Sequence, residues 1–170
     1  MSAAQRIDHP FPPLFDSESR TLILGSFPSV KSREVGFFYG HPQNRFWKTL
    51  AALFGEVVPQ SINEKQAFLQ AHKIALWDVI ASCEIVGSSD ATIRNAVPND
   101  LSRIFEVAQI EKIFTNGTTA DKLYRKYLRD RVGKEAVCLP STSPANAAWS
   151  AERLLCAWRV ILDCLQKGEM

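Results

Sequence analysis

The run Thr21-Leu22-Ile23-Leu24-Gly25-Ser26-Phe27-Pro28-Ser29 decides the fold class. Thr21 to Leu24 show no alternation of polar and apolar residues, so both faces of the strand they form must be covered, as in a parallel sheet. Gly25 ends the strand and small polar residues follow it. Three more segments read the same way: Ile74-Ala75-Leu76-Trp77-Asp78-Val79, Lys112-Ile113-Phe114-Thr115-Asn116-Gly117 and Ala136-Val137-Cys138-Leu139-Pro140. Helical stripes lie between and after them. Phe46, Trp47, Leu50, Leu53 and Phe54 mark one from about Asn44, and Asn63 is placed to cap another that runs through Ala71. Pro98-Asn99 is read as opening a helix with Leu101, Ile104, Phe105 and Ala108 on one face. Ala120, Leu123, Tyr124, Tyr127 and Leu128 form a strong stripe. Ala151, Leu154, Leu155, Trp158, Ile161, Leu162 and Leu165 form the last. Strands alternating with helices predict an α/β fold, a three-layer α/β/α sandwich around a four-stranded, mainly parallel sheet. The remaining segments are expected to be irregular: residues 1–20, an arm anchored by Phe11, Leu14 and Phe15; the loop Ser26 to Gln43; and the polar stretch 83–97.

A chain of 170 residues corresponds to about one domain, so residues 1–170 are expected to form one. Hydrophobic residues at 46% and charged residues at 22% are ordinary globular proportions. Lys and Arg number 20 against 18 Asp and Glu, a formal net charge of +2. That excludes a polycation, so any nucleic-acid contact must come from a local patch. No apolar run approaches the ~20 residues of a membrane span, and Met1 to Pro13 contain no hydrophobic signal core. Cys83, Cys138, Cys156 and Cys164 form no C-x-x-C pair, so zinc and iron–sulfur sites are not expected. Four free thiols fit a reducing cytoplasm, where they are expected to be buried structural residues.

In open α/β sheets ligands bind beyond the carboxyl ends of the strands. Those ends here are Gly25 to Ser29, the region after Val79, Asn116-Gly117, and Pro140-Ser141-Thr142-Ser143-Pro144. The sequence has no phosphate-loop, dinucleotide or nucleophile-elbow motif. The three histidines are too scattered for a metal cluster: His72 is read as solvated at a helix end and His9 as part of the arm. His41 lies within Tyr39-Gly40-His41-Pro42-Gln43-Asn44-Arg45-Phe46-Trp47, where it either braces the loop or faces a site. Phe37, Phe38 and Tyr39 are three consecutive aromatics in a long loop. They either mark a binding surface of the kind a flipped base stacks on, or plug a gap beneath the loop.

Taken together and in order, these segments resemble the uracil-DNA glycosylase superfamily, and within it the hypoxanthine-DNA (DNA-deoxyinosine) glycosylase branch. The resemblance is carried by Leu24 to Ser29, Ser32-Arg33-Glu34, Phe38 to Trp47, Leu76-Trp77-Asp78-Val79, Asn116-Gly117 and Leu139 to Asn146. It runs from about His9 to Leu165. The His-Pro-x-Asn-Arg-Phe-Trp run is also similar to the mismatch-specific uracil glycosylases. One departure stands out. Most branches place Asp or Asn two residues after Gly25 to position the attacking water, and this chain has Phe27.

The resemblance implies a monofunctional DNA N-glycosylase that flips a deaminated base out of the stack, hypoxanthine first, with uracil slower or absent and xanthine possible. It implies Asn44 as the catalytic group that orients water, with a helix cap as its alternative role. Gly25, Ser26, Phe27, Tyr39 and Asn116 would bind the base. Asn116 would read its N–H/C=O edge, unless Asn-Gly is only a turn signal. Ser29, His41, Ser141, Thr142, Ser143 and Asn146 would contact the DNA, with Pro144, Ala145 and Asn146 as the wedge. Ser143 could equally cap a helix that starts at Pro144. Lys31, Arg33 and Arg45 would meet phosphates or brace loops. The implied partner is DNA containing deaminated bases, with no cofactor, metal or membrane. A monomer, cytoplasmic and nucleoid-associated, is expected. The rival readings are a mismatch-specific uracil or thymine glycosylase and a catalytically silent nucleic-acid-binding module.

Overall fold

The computed structural model describes residues 3–167, with side chains as far as Asp163. In chain order the elements are β1 (Gln5–Asp8), β2 (Thr21–Gly25), α1 (Val30–Val35), α2 (Phe46–Phe54), α3 (Ile62–Ala71), β3 (Ile74–Asp78), β4 (Ile80–Ile85), a 3-10 turn (Asp90–Thr92), β5 (Arg94–Pro98), α4 (Ser102–Phe105), β6 (Lys112–Asn116), α5 (Thr118–Tyr127), α6 (Arg129–Val132), β7 (Ala136–Leu139), α7 (Ala151–Trp158) and α8 (Val160–Lys167).

The four strands expected from the sequence form one sheet in the order β3-β2-β6-β7, and every pairing in it is parallel. Every residue of β2 and β3 is buried, as their unbroken apolar runs require. The chain steps outward from β2 to β3 on one side and from β6 to β7 on the other. Right-handed crossovers then place the connecting helices on opposite faces, which gives the three layers. The order of connection reverses between β2 and β6, where neighbouring strand ends splay apart and a crevice opens. Gly25 and Asn116 are the last residues of those two strands.

A second sheet, antiparallel and three-stranded in the order β1-β4-β5, was not expected. It corrects the irregular reading of residues 5–8, 83–85 and 94–97. Only Val79 separates β3 from β4, and Asn99 fixes the junction. Its N–H donates to the Val79 carbonyl at 2.8 Å and its side chain donates to the Asp78 carbonyl at 2.8 Å. Pro98 therefore ends a strand, and the helix after it begins at Ser102, whose N–H is capped by Asp100.

Other differences are local. The loop after β2 contains α1, bounded by the Ser29 cap and by Gly36 in the left-handed region. Ser61, not Asn63, caps α3. The last helical stripe divides at Arg159 into α7 and α8, with Leu154, Trp158 and Ile161 buried; the Cys164 and Leu165 side chains lie outside the described residues. Cys83 is buried, but Cys138 and Cys156 are exposed. The arm is anchored as expected. Leu14 forms a two-bond antiparallel bridge to Leu76, and Phe11 packs edge-on against Phe38.

Candidate active site

A cavity of about 660 Å³ opens at the crevice between the ends of β2 and β6. That lies within the ~300–1,000 Å³ usual for small-molecule sites. Its floor is built where Gly25, Asp78, Tyr39 and Asn116 converge. Gly25 is required there by space. A Cβ on it would collide with Asp78 Oδ1 and would lie 2.9 Å from the Tyr39 hydroxyl. Asp78 is held from below, where its Oδ2 accepts from His9 Nε2 at 2.7 Å. The His9 side chain is only 4% exposed and packs among Phe11, Phe27, Phe38 and Trp77. His9 is thus a buried partner of the floor and not a loose part of an arm.

Asn116 projects from the end of β6, and Thr142 determines its orientation. The Thr142 N–H donates to Asn116 Oδ1 at 3.0 Å, and Asn116 Nδ2 donates to the Thr142 hydroxyl at 2.9 Å. A backbone N–H can only donate, so the amide oxygen must face it and the amide cannot be reversed. One lone pair on Oδ1 and one N–H on Nδ2 remain. Thr142 is fully buried, and its carbonyl is taken by the Arg45 N–H. It orients a neighbour and has no surface to offer a phosphate. Gly117 adopts φ +100°, and a Cβ there would press on Ser141, so the 140–150 loop packs directly against the β6 turn.

That loop is irregular as far as Ser150, which caps α7. No helix therefore starts at Pro144, and a phosphate site at such a helix start is ruled out. Arg45 holds the loop instead. Its guanidinium donates to the carbonyls of Trp149, Asn146 and Ser143. The Ser141 and Ser143 hydroxyls accept from the Ser143 and Ala145 N–H groups, and Asn146 Nδ2 donates to the Ser141 carbonyl. All three residues line the cavity.

Of the three consecutive aromatics, Phe37 and Phe38 are buried core residues, so for these two the plug beneath the loop is the reading that holds. Phe37 stacks on Trp47, and Phe38 meets Phe11 and His9. Phe38 and Tyr39 both line the cavity, and Tyr39 is the less buried of the two. Tyr39 sits in the left-handed region at φ 54°, stacks on Phe46 at 4.0 Å, and leaves its buried hydroxyl without a hydrogen-bond partner. Burial, reinforced by the Asp78 carboxylate, raises its pKa well above the ordinary phenol value, so the hydroxyl keeps its proton. Phe27 lines the cavity but is 7% exposed, with its ring edge-on to His9.

Asn44 and His41 both line the cavity. Asn44 Oδ1 accepts from the Phe46 N–H, the first of α2, at 2.9 Å, while the cap position itself is Arg45, which makes no side-chain cap bond. His41 Nδ1 accepts from the Gln43 N–H at 3.0 Å and braces the loop. Ser29 caps α1 through the Ser32 N–H. Lys31 pairs with Glu34 and is exposed, while Arg33 donates to the Gly87 carbonyl.

The sequence matches the Uracil DNA glycosylase superfamily over residues 12–163. The chain belongs to that superfamily. A Methanosarcina acetivorans protein named hypoxanthine DNA glycosylase is 37% identical over 145 residues, covering 84% of this chain and 90% of that protein. One of the same name from Methanosarcina barkeri is 36% identical over 139 residues, covering 80% of this chain and 86% of that protein. A Methanosarcina acetivorans protein solved by solution NMR and described as a candidate uracil DNA glycosylase superposes with a TM-score of 0.76 at 31% identity, covering 92% of this chain and 99% of that one.

Within this superfamily member, two carboxylates join the site that the sequence reading did not assign. Asp78 stands at the end of β3. Asp90 opens the 3-10 turn and accepts from the Ser26 hydroxyl at 2.8 Å. Both line the cavity. For Asp78 the sequence signals were its place in the Leu76-Trp77-Asp78-Val79 run and its position closing an otherwise apolar strand, where a buried carboxylate needs a partner; Asp90 had none.

Proposed function

We propose that this chain is a monofunctional DNA N-glycosylase that excises hypoxanthine from DNA, with uracil and xanthine as weaker substrates. The observation that carries the reading is the Asn116 amide fixed by Thr142. Its remaining lone pair and N–H match a base edge with a ring N–H beside a carbonyl. Adenine presents an unprotonated nitrogen beside an amino group, so like groups would face each other in a buried slot, a penalty larger than one lost bond. The names of the two Methanosarcina relatives support the same substrate.

The flipped base would enter over Gly25, between Phe27 and Tyr39, with Ser26 and Phe27 at its rim. Asn44 keeps its amide nitrogen and a second lone pair beyond the bond from Phe46. With these it would orient a water towards C1′, contributing position more than proton transfer. His41, Ser29, Ser141, Ser143 and Asn146 lie at the cavity margin, where the flanking DNA would run. The protein would act as a monomer in the cytoplasm, on nucleoid DNA, and without a cofactor.

The test is release of free base from oligonucleotides carrying one inosine, uracil or xanthine, followed by mass spectrometry. Hypoxanthine release is expected, with an abasic product that breaks only on alkali treatment. Uracil release without hypoxanthine release would favour a mismatch-type uracil glycosylase. No release with retained binding would mark a silent DNA-binding module.

A further inference from the structure

Asp90 is a half-buried carboxylate that pairs with no cation among the described residues. Oδ2 takes the Ser26 hydroxyl, while Oδ1 has no partner among the described residues. Burial raises its pKa above the ordinary carboxylate value. The Ser26 bond opposes that shift and the nearby Asp78 carboxylate adds to it. Asp78 differs, because His9 donates to it and its free oxygen is wedged against Gly25. Two carboxylates in unlike environments on one cavity wall are the arrangement from which acid and base roles are divided.

The chemistry has a matching need. When the bond between C1′ and a purine N9 breaks, the electron pair stays with the base and spreads onto its other ring nitrogens. Phe27, just past the end of β2, brings no polar group to the cavity wall, so the water side of the reaction is weakly assisted. Departure of the base must then carry more of the catalysis.

We propose that Asp90 is the general acid of the reaction and delivers its proton to N7 of the departing purine. The inference rests on the hypoxanthine reading above. As the C1′–N9 bond breaks, its electron pair passes into the ring and the Asp90 proton forms the new N7–H bond, so the base leaves neutral. Water adds to the oxocarbenium carbon, its proton goes to solvent, and Asp90 is reprotonated from solvent. Water is consumed, and free base and abasic sugar are formed. Pyrimidines lack N7, so the same device selects purine lesions over uracil.

The experiment is single-turnover excision from DNA carrying hypoxanthine, 2-fluorohypoxanthine or 7-deazahypoxanthine, by the wild-type protein and by Asp90→Asn. The variant keeps an acceptor for Ser26 and replaces a protonated acid by a neutral amide of the same shape, so it should melt no lower than wild type. It should lose roughly 10²–10³-fold on hypoxanthine. On 2-fluorohypoxanthine, whose anion leaves readily unprotonated, it should lose less than about tenfold. The wild-type protein should release 7-deazahypoxanthine, which has no N7, at least about 10²-fold more slowly than hypoxanthine, a measurement that needs no variant. Equal losses on the two leaving groups, full activity of Asp90→Asn, or ready release of the 7-deaza base would each overturn the proposal. Absence of hypoxanthine release by the wild-type protein would overturn the substrate reading along with it.

Discussion

At the residue scale the floor of the cavity depends on an absence, the missing Cβ of Gly25. Asp78 Oδ1 occupies that space and cannot swing away, because its sister oxygen is bonded to His9. Gly25→Ala should therefore destabilise by about 1–3 kcal/mol, the range for overpacking. It should also lower single-turnover excision by at least ~10²-fold, since the edge proposed to read the base is displaced. Urea denaturation and base release measure the two effects, and a variant with unchanged excision would remove Gly25 from the site. Asn44 and Asn116 are legible in the sequence because each stands within a recognisable run, one before Arg-Phe-Trp and the other before Gly. His9 and Asp90 are not, and Asp78 stands in a recognisable run that does not reveal its partner. Their meaning comes from pairings that span 69 residues (His9 with Asp78) and 64 residues (Ser26 with Asp90), which no local pattern encodes.

At the element scale, the four parallel strands are readable because burial on both faces demands uninterrupted apolar runs. The antiparallel sheet is not. β1 offers only Ile7 as an apolar residue, and β5 reads Arg-Asn-Ala-Val-Pro with no residue buried. Such strands form because a neighbour is present, not because of their own composition. The 140–150 loop shows the converse, irregular backbone held in one shape by side-chain bonds, three of them from Arg45. Arg45 reaches three carbonyls with its planar fork, which a lysine ammonium cannot reproduce. Arg45→Lys should raise hydrogen–deuterium exchange within residues 140–150 while leaving β2 and β6 protected. Unchanged exchange there would show that the loop holds itself.

At the scale of the whole molecule, the N-terminal segment is part of the site. β1 pairs with β4, the chain then delivers His9 beneath Asp78, and Leu14 extends the main sheet at β3. His9→Ala would leave a buried carboxylate without its donor and open a gap among four aromatic rings. Breaking a buried pair from one side costs about 3–5 kcal/mol, and a loss near that size is expected in denaturant titration. A loss below about 1 kcal/mol would mean that Asp78 is solvated. The central claim concerns the edge read by Asn116, and the most direct measurement is single-turnover base release from matched duplexes that differ only in inosine or adenosine at one position. The account predicts hypoxanthine release from the first and no detectable adenine from the second, with Asn116→Asp losing the activity. Comparable release of adenine, or full activity in Asn116→Asp, would contradict it.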